Sequence, residues 1–302
     1  MQLIFPLTPG TPTYAVSQII ADAMGASMGT QMPVVAKPGA GGVTAFAAAL
    51  AEPADGYTVI DAYVAPLVIA PMFGKVDYTC SDFTPLFAAT STPLAIISRV
   101  DEKRWTDFPS FVAYVKAHPG ETKYTAAGEL SLPHLAAARM LQVNDLVSRP
   151  IPYNDLADGL NDLRSGILDW MIINPGMFAG NKDDMRVLAV MSDLEGSGSL
   201  YGGAKRAVDF GVDIGLAGMA PSPWDWWVVK NGAPDEAVQT LRKAMADALA
   251  NPDVKAKLDH LGYLPTGFTP DQYGDICSKI TSDLKSAMGA IDWEKEQIAK
   301  LK

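Results

Sequence analysis

The stretch from Gln2 to Val16 reads QLIFPLTPGTPTYAV, and its pattern decides the fold. The apolar run Leu3 to Phe5 predicts a β-strand, and an apolar pattern with helical spacing begins at Val16. In the loop between them, Thr11 suits the N-cap of that helix and Pro12 suits its first position. The stretch therefore predicts a strand, an uncharged loop and a helix in direct succession.

The same order returns later in the chain. Residues Lys123 to Ala126 read as a strand, the loop AGELSLP follows, and Pro133 to Gln142 read as a helix. Strand-like and helix-like segments alternate over most of the chain in this way. Such alternation predicts an α/β fold with mainly parallel strands.

Composition narrows the class of protein. The 302 residues are enough for two domains, and 48% apolar with 19% charged residues is typical of a folded globular protein. The net charge of −10 disfavours nucleic acid and anionic membrane surfaces as partners. Only Lys37 and Lys75 are basic before Arg99. An anion bound by this first third must therefore be held mainly by groups other than cationic side chains.

Targeting signals and cysteines leave alternatives open. No apolar run is long enough for a transmembrane helix, and the N-terminus lacks the basic residues and apolar stretch of a signal peptide. Either the protein is cytoplasmic or a leader has been removed. Cys80 and Cys277 allow one disulfide, but two separate buried thiols are the favoured reading.

Two loops are candidates for anion binding, residues Pro6 to Thr13 and Ala127 to Leu132. In an open α/β sheet, ligands collect where strands end and helix N-termini point free N–H groups outward. A helix dipole and unpaired amides at one point suit a carboxylate without a basic side chain. The hydroxyls of Thr11, Thr13 and Ser131 add donors. Ordinary helix capping remains the alternative for each loop.

Signals for catalysis, metals and cofactors are weak. The glycine stretch KPGAGG, Lys37 to Gly42, has neither the ending of a phosphate-binding P-loop nor dinucleotide spacing. His134 lies three residues after Ser131, as a base and nucleophile could, but no G-x-S-x-G elbow surrounds the serine. Only three scattered histidines are present, so we predict no zinc site and no cofactor.

Several segments together resemble one protein family. The segment KPGAGGVTAFAAALAEPADGYTVI (Lys37 to Ile60) resembles that of the tripartite tricarboxylate transporter solute receptors, the Bug-type receptors. Further segments follow in the order of that family: DFTPL (82–86), FVAYVKAHPG (111–120), AAGELSLPHLAAARML (126–141), PYNDLADGLNDLRSGILD (152–169) and MRVLAV (185–190). The resemblance covers nearly the whole chain.

The resemblance implies a type II-like periplasmic binding protein fold, with two α/β domains, a hinge and a ligand cleft between the domains. Domain 1 would be discontinuous, with residues 1–98 and 222–302, and domain 2 would take residues 99–221. The chain would pass from domain 1 to domain 2 near Arg99 and return to domain 1 near Trp224. In this scheme the run WDWW, Trp224 to Trp227, packs the region between the domains.

The implied function is that of a periplasmic receptor for a small carboxylate, dicarboxylate or aromatic. The receptor, a monomer whose leader has been removed, would deliver its ligand to the membrane subunits of a secondary transporter. Two other classes stay open: a hydrolase-like enzyme using Ser131 and His134, or the ligand-sensing domain of a regulator. No helix-turn-helix or basic arm supports the regulator.

The resemblance and the strand ends together give a set of candidate ligand-binding residues. They are Pro9, Gly10, Thr11, Thr13, Tyr14, Tyr63, Val64, Ala65, Ala127, Gly128, Glu129, Ser131, His134, Asn174 and Pro175. Thr11 stands where the family has glycine, and Tyr14 stands where it has an acidic residue, which weakens the case for an amino-acid ligand. Tyr14, Tyr63 and Leu130 suggest apolar or aromatic ligand surface.

Overall fold

A computed structural model of the chain describes residues 1–126, 131–153, 156–192, 194–212 and 225–301. Its strands and helices are, in chain order, β1 (Gln2–Phe5), α1 (Pro12–Met28), β2 (Val34–Ala36), α2 (Val43–Ala51), β3 (Thr58–Tyr63), α3 (Ala70–Met72), β4 (Phe83–Ala88), β5 (Thr90–Ser91), β6 (Leu94–Arg99), α4 (Phe108–Ala117), β7 (Lys123–Thr125), α5 (Leu132–Val143), β8 (Arg149–Pro150), α6 (Leu156–Ser165), β9 (Trp170–Ile173), α7 (Pro175–Ala179), β10 (Met185–Met191), β11 (Asp225–Lys230), α8 (Asp235–Ala250), α9 (Pro252–His260), β12 (Leu264–Pro265) and α10 (Tyr273–Ala299). The predicted cap Thr11 and first helical residue Pro12 of α1 are confirmed.

The chain folds into two compact units. The first unit contains residues 1–91 and 222–281, and the second contains residues 92–221 and 282–302. The family resemblance implies a first crossing between the domains near Arg99 and a C-terminal segment that lies wholly in domain 1. The C-terminal half of α10 instead belongs to the second unit, because Glu294 bonds to Tyr124 and His134 of that unit.

The first unit is built on a five-stranded sheet of order β2-β1-β3-β11-β4. Strand β1 runs parallel to β2 and β3, whereas β11 runs antiparallel to β3 and β4. Two parallel strands need a crossover connection that passes over one face of their sheet. The chain enters β11 from the second unit and not through such a crossover. The prediction of mainly parallel strands therefore fails on this side of the sheet.

The core of the first unit lies between its sheet and helices α1, α8 and α9. The apolar stripe of α8, with Val238, Leu241 and Met245 on one face, packs there as its spacing predicts. Val16 and Ile20 bring α1 onto the same core.

The run WDWW has another place than predicted. Trp226 and Trp227 belong to β11, and both are buried within the first unit. The ring of Trp226 meets that of Tyr273 edge-on at 4.9 Å, and Trp227 lies in the core beside α1 and α8. These tryptophans therefore pack a sheet inside one unit, and Trp224 lies outside the described residues.

The second unit has a five-stranded sheet of order β10-β6-β9-β7-β8. Strand β7 is parallel to β8 and β9, and β6 is antiparallel to β9 and β10, so this sheet is also mixed. The ring of Tyr124 on β7 stacks on Trp170 of β9 with centroids 4.1 Å apart. Trp170 also meets Phe111 of α4 edge-on, which fixes that helix on the sheet.

A disulfide joins Cys80 to Cys277 in the first unit, with 6.5 Å between their Cα atoms. It ties the start of α10 to the segment before β4. The favoured reading of two separate thiols is therefore wrong. The sequence separation of 197 between the cysteines hid the pairing, because contacts over such a distance leave no local sequence pattern.

Replacing both cysteines with serine should lower the free energy of unfolding by about 2–4 kcal/mol, because the unfolded chain loses a cross-link. Urea denaturation of the wild-type and double-serine proteins measures this. The denatured, unreduced wild type should also take up no iodoacetamide. Alkylation of both cysteines under those conditions would contradict the pairing.

Candidate ligand-binding site

The N-terminal end of α1 leaves one first-turn amide available. Pro12 has no N–H, the N–H of Tyr14 donates to Thr11 Oγ1 at 3.2 Å, and the N–H of Ala15 donates to the Thr11 carbonyl. The N–H of Thr13 is left by this capping pattern. It lies at the positive end of the helix dipole, which is where an anion is stabilised.

The hydroxyl groups at this helix end already have partners. Thr11 Oγ1 donates to the carbonyl of Thr8 at 3.2 Å, while Thr13 Oγ1 lies 2.8 Å from the hydroxyl of Tyr263. Both predicted hydroxyls therefore have partners within the unit, whereas the N–H of Thr13 has no acceptor among the described residues. Pro9 and Gly10 are exposed, and Gly10 adopts a left-handed φ of 84° that lets the loop turn into the helix.

Two of the other predicted residues of the first unit, Tyr14 and Tyr63, both pack edge-on against Phe5 of β1. The hydroxyl of Tyr14 donates to the Val34 carbonyl at 3.2 Å, and its ring meets Phe5 edge-on at 5.2 Å. Tyr63 and Val64 are buried, whereas Ala65 is exposed. Burial, followed by the nearby charge of Asp61, raises the pKa of Tyr63 well above its ordinary value, so its phenol is neutral.

The glycine stretch before α2 supports the site loops. A Cβ on Gly42 would come within 2.8 Å of Pro66 and 3.2 Å of Pro6, so only glycine fits there. Pro6 precedes the α1 loop, and Pro66 follows β3. The KPGAGG segment is therefore a packing surface that fixes two neighbouring loops.

The N-terminal end of α5 in the second unit repeats the arrangement. Ser131 is the N-cap and accepts from the N–H of His134 at 3.3 Å, while its carbonyl accepts from Leu135. Pro133 has no N–H, so the N–H of Leu132 is the amide that the cap leaves. The Ser131 hydroxyl donates to the carbonyl of Ala126 at 2.9 Å, as Thr11 does to its own loop.

Four residues of the predicted α5 loop, Ala127, Gly128, Glu129 and Leu130, lie outside the described residues. Asn174 caps the short helix α7 by accepting from the N–H of Met177 at 2.9 Å. Pro175 is buried at the start of that helix.

The side chain of His134 turns toward α10. Its Nε2 lies 3.0 Å from Glu294 Oε2, and the hydroxyl of Tyr124 donates to Glu294 Oε1 at 2.5 Å. Burial and the carboxylate of Glu294 raise the pKa of Tyr124 well above its ordinary value, which keeps the phenol protonated as a donor. The single hydrogen of the Ser131 hydroxyl goes to a backbone carbonyl, which is unlike a serine activated by a histidine base.

A pocket of about 210 Å³ opens beside this group in the second unit. It is lined by Ala126, His134, Pro150, Ile151, Pro152, Glu294 and Lys295. Its walls are mostly apolar, and it lies where β7 and β8 end, next to the start of α5. A small ligand with a hydrocarbon part fits such a surface.

Within the described residues, no cluster of three or more His, Cys, Asp or Glu side chains suits a metal ion. In the same parts of the chain, every helix is too short or too polar to cross a membrane.

Comparison with known proteins decides the family. The model of the tripartite tricarboxylate transporter family receptor matches residues 16–288. The chain belongs to this receptor family. It is thus a solute-binding receptor, as the resemblance implied, and these comparisons give no support to the hydrolase or regulator alternatives.

This receptor is 26% identical over 275 residues to the UPF0065 protein of the tcbD–tcbE intergenic region of Pseudomonas sp. strain P51. The alignment covers 90% of this chain and 80% of that protein.

Among solved structures, the fold of the receptor is similar to a TctC solute-binding protein from Polaromonas, with a TM-score of 0.77, 23% identity and 97% of each chain covered. It is also similar to MatC of Rhodopseudomonas palustris with bound malate, at a TM-score of 0.70 and 20% identity over 95% of this chain and 98% of that one. A third similar structure is R. palustris Rpa4515 with adipate, with a TM-score of 0.72 and 21% identity over 96% of each chain. These similarities confirm the predicted two-domain binding-protein fold class.

Sequence reasoning missed two buried carboxyl groups, one in each unit. Glu294 lies 160 residues from His134, and nothing in its local sequence marks it as a partner. Asp61 did give a signal, since it is a charged residue inside the apolar strand TVIDAY. A buried acid within a strand indicates a functional or specifically paired group.

Glu294→Ala should lower the free energy of unfolding of the receptor by about 2–4 kcal/mol, because two buried donors lose their acceptor. Glu296→Ala is the matched control on the exposed side of α10, and its effect should stay within about 0.5 kcal/mol. Chemical denaturation measures both. Equal stability of the two variants would show that Glu294 does not anchor α10.

Proposed function

We propose that this receptor binds small carboxylates through the helix ends of α1 and α5 and delivers them to the membrane subunits of a tripartite tricarboxylate transporter. The receptor acts as a monomer in the periplasm and carries out no covalent chemistry. The Cys80–Cys277 disulfide supports this location, because disulfides persist in oxidising compartments.

The proposal rests on one observation: at the N-terminal ends of α1 and α5, one backbone N–H has no acceptor among the described residues. Thr13 is the second residue of α1 and Leu132 is the first residue of α5, and in each helix a proline takes the other of these two positions after the capping hydroxyl. A hydrogen bond to a charged group contributes about 1.5–3 kcal/mol, and a helix dipole adds about 0.3–1 kcal/mol. Together these contributions hold a carboxylate without arginine, which agrees with the scarcity of basic residues before Arg99.

The ligand class draws on the similar solved proteins. MatC is described with malate and Rpa4515 with adipate, and both ligands are dicarboxylates. The apolar pocket beside α5, with Ile151 and two prolines in its wall, favours a ligand with a hydrocarbon part. We therefore place small dicarboxylates first and aromatic carboxylates second.

Thermal-shift and calorimetric titrations with malate, adipate and benzoate test the proposal. A carboxylate at 100 times its Kd adds about 2.7 kcal/mol of stability, which raises the melting temperature measurably. Adipamide is the matched neutral control and should produce no shift. The proposal fails if no carboxylate stabilises the protein while an ester substrate is turned over in a Ser131-dependent manner.

A single substitution can remove the α5 amide alone. Leu132→Pro deletes the N–H, and proline is tolerated there because Leu132 is the first helical residue and Ser131 is already extended. We expect roughly 10- to 100-fold weaker binding of whichever probe binds the wild type.

Leu132→Ala is the control, because it removes the same side chain but keeps the amide. Calorimetry on both variants separates the two effects. Equal affinities for Leu132→Pro and Leu132→Ala would contradict recognition by this amide.

A further inference from the structure

Two carboxyl groups lie buried in the first unit without a cationic partner. Asp61 on β3 is 0% exposed and Asp225 on β11 is 1% exposed. Across these antiparallel strands, Asp61 pairs with Trp227 and Asp225 pairs with Tyr63, so all four side chains share one face of the sheet. No ion pair of the described residues involves either carboxylate.

A count of hydrogens at Ser17 points to a proton on Asp61. Ser17 Oγ lies 2.5 Å from Asp61 Oδ2 and 3.2 Å from the carbonyl oxygen of Thr13. Two hydrogen bonds need two hydrogens, and the serine hydroxyl supplies one. A protonated Asp61 supplies the second, so that Asp61 donates to Ser17 and Ser17 donates to Thr13.

The remaining oxygens of the cluster fit a proton better than a metal ion. Asp225 Oδ1 accepts from both the N–H and the hydroxyl of Thr90 at 3.0 Å. The oxygens left without a partner are Asp61 Oδ1, Asp225 Oδ2 and the phenol oxygen of Tyr63. Three oxygens are too few for Ca²⁺, which takes six to eight, whereas the proton on Asp61 Oδ2 needs only Ser17 Oγ as its acceptor.

The groups that face the pair are acidic or neutral. The titratable groups are Asp61 and Tyr63 from β3, Asp225 from β11 and Tyr263 from the segment after α9. Burial raises the pKa of Asp61 to about 7 and that of Asp225 well above its ordinary value. Burial also raises the pKa of both tyrosines, so they stay neutral.

Among the described residues, the other elements packed on this face bring no compensating charge. Helix α1 contributes the hydroxyls of Thr13 and Ser17, and α8 contributes apolar side chains such as Leu241 and Met245. The pair is thus a negative charge, whenever it is ionised, directly beneath the first turn of α1. An anion at that helix end would be repelled by it.

We propose that Asp61 and Asp225 form a proton-binding site beneath the first turn of α1, and that a carboxylate binds at this helix end together with a proton on the pair. The second half of this proposal rests on the proposed function. The path of the coupling is short: the proton lies on Asp61, Ser17 bridges Asp61 to Thr13, and Thr13 carries the amide offered to the anion.

The ligand-free protein tests the proton site. Between the ordinary aspartate pKa of 3.8 and about 7, the folded protein holds protons that the unfolded chain has released. Stability therefore falls as pH rises through this interval, and we expect the melting temperature to drop by roughly 5–10 °C.

Asp61→Asn imitates the protonated carboxyl, so it should remove most of this drop and raise the melting temperature above pH 7. Asp225→Asn is a second variant that should act in the same direction. Asp22→Asn removes an exposed carboxylate from helix α1, which packs on the pair, and should keep the wild-type dependence of melting temperature on pH. An Asp61→Asn profile as steep as that of Asp22→Asn would overturn the proton site.

A metal ion is the competing occupant. Melting temperatures of the wild type and Asp61→Asn above pH 7 are compared in sodium, calcium and choline chloride at equal ionic strength. Equal melting temperatures in the three salts support the proton. Stabilisation by sodium or calcium that Asp61→Asn abolishes would overturn it.

Calorimetry with malate or adipate tests the coupling. In two buffers of different ionisation enthalpy near pH 7, the wild type should take up a fraction of a proton on binding, and Asp61→Asn should take up less. Affinity of the wild type should fall on the order of tenfold from pH 6 to pH 8.5.

Equal proton uptake by both proteins overturns the coupling. If no carboxylate binds, both the proposed function and the coupling are overturned. The proton site is then still tested by how the melting temperature of the ligand-free protein depends on pH.

Discussion

The proposed site of this receptor depends on how a helix that follows a strand and a short loop satisfies its first amides. Each α-helix begins with N–H groups that have no partner inside the helix. Of the first three helical residues of α1 and α5, one N–H donates to the capping hydroxyl and one is missing because the residue is proline. One amide remains at each helix, on Thr13 and on Leu132. Its direction is fixed by the helix and costs no reorganisation when an anion arrives.

Recognition of an anion by backbone amides agrees with the scarcity of cationic side chains near the first helix end. An arginine would hold a carboxylate more strongly, but it would also need to be kept in place without a ligand and desolvated with one. Gly42, which packs under Pro6 and Pro66, holds the surrounding loops in position without contributing charge.

Local features of the fold were predictable, and distant ones were not. The cap Thr11 and the first helical residue Pro12 follow from residue preferences within a few positions, and the structure confirms both. The antiparallel direction of β11, the Cys80–Cys277 disulfide and the bond from Glu294 to His134 join residues more than 100 positions apart. A single sequence carries no periodic signal for such pairs. Family resemblance supplied the two-domain class but not these contacts.

The candidate site divides in the same way. Sequence alone placed the helix ends, because cap and proline preferences are local, but it gave the capping hydroxyls a ligand role that their hydrogen bonds inside the loops now fill. It also passed over Asp61, whose importance appears only when Asp225 and Ser17 are placed around it. Buried polar clusters assembled from several elements are the part of a site that residue patterns describe least.

A crystal structure of the receptor with a bound dicarboxylate such as adipate tests the central claim most directly. The account predicts a carboxylate oxygen at about 3 Å from the backbone nitrogen of Thr13 or Leu132. A carboxylate held by lysine or arginine side chains, with both amides left to solvent, would contradict it.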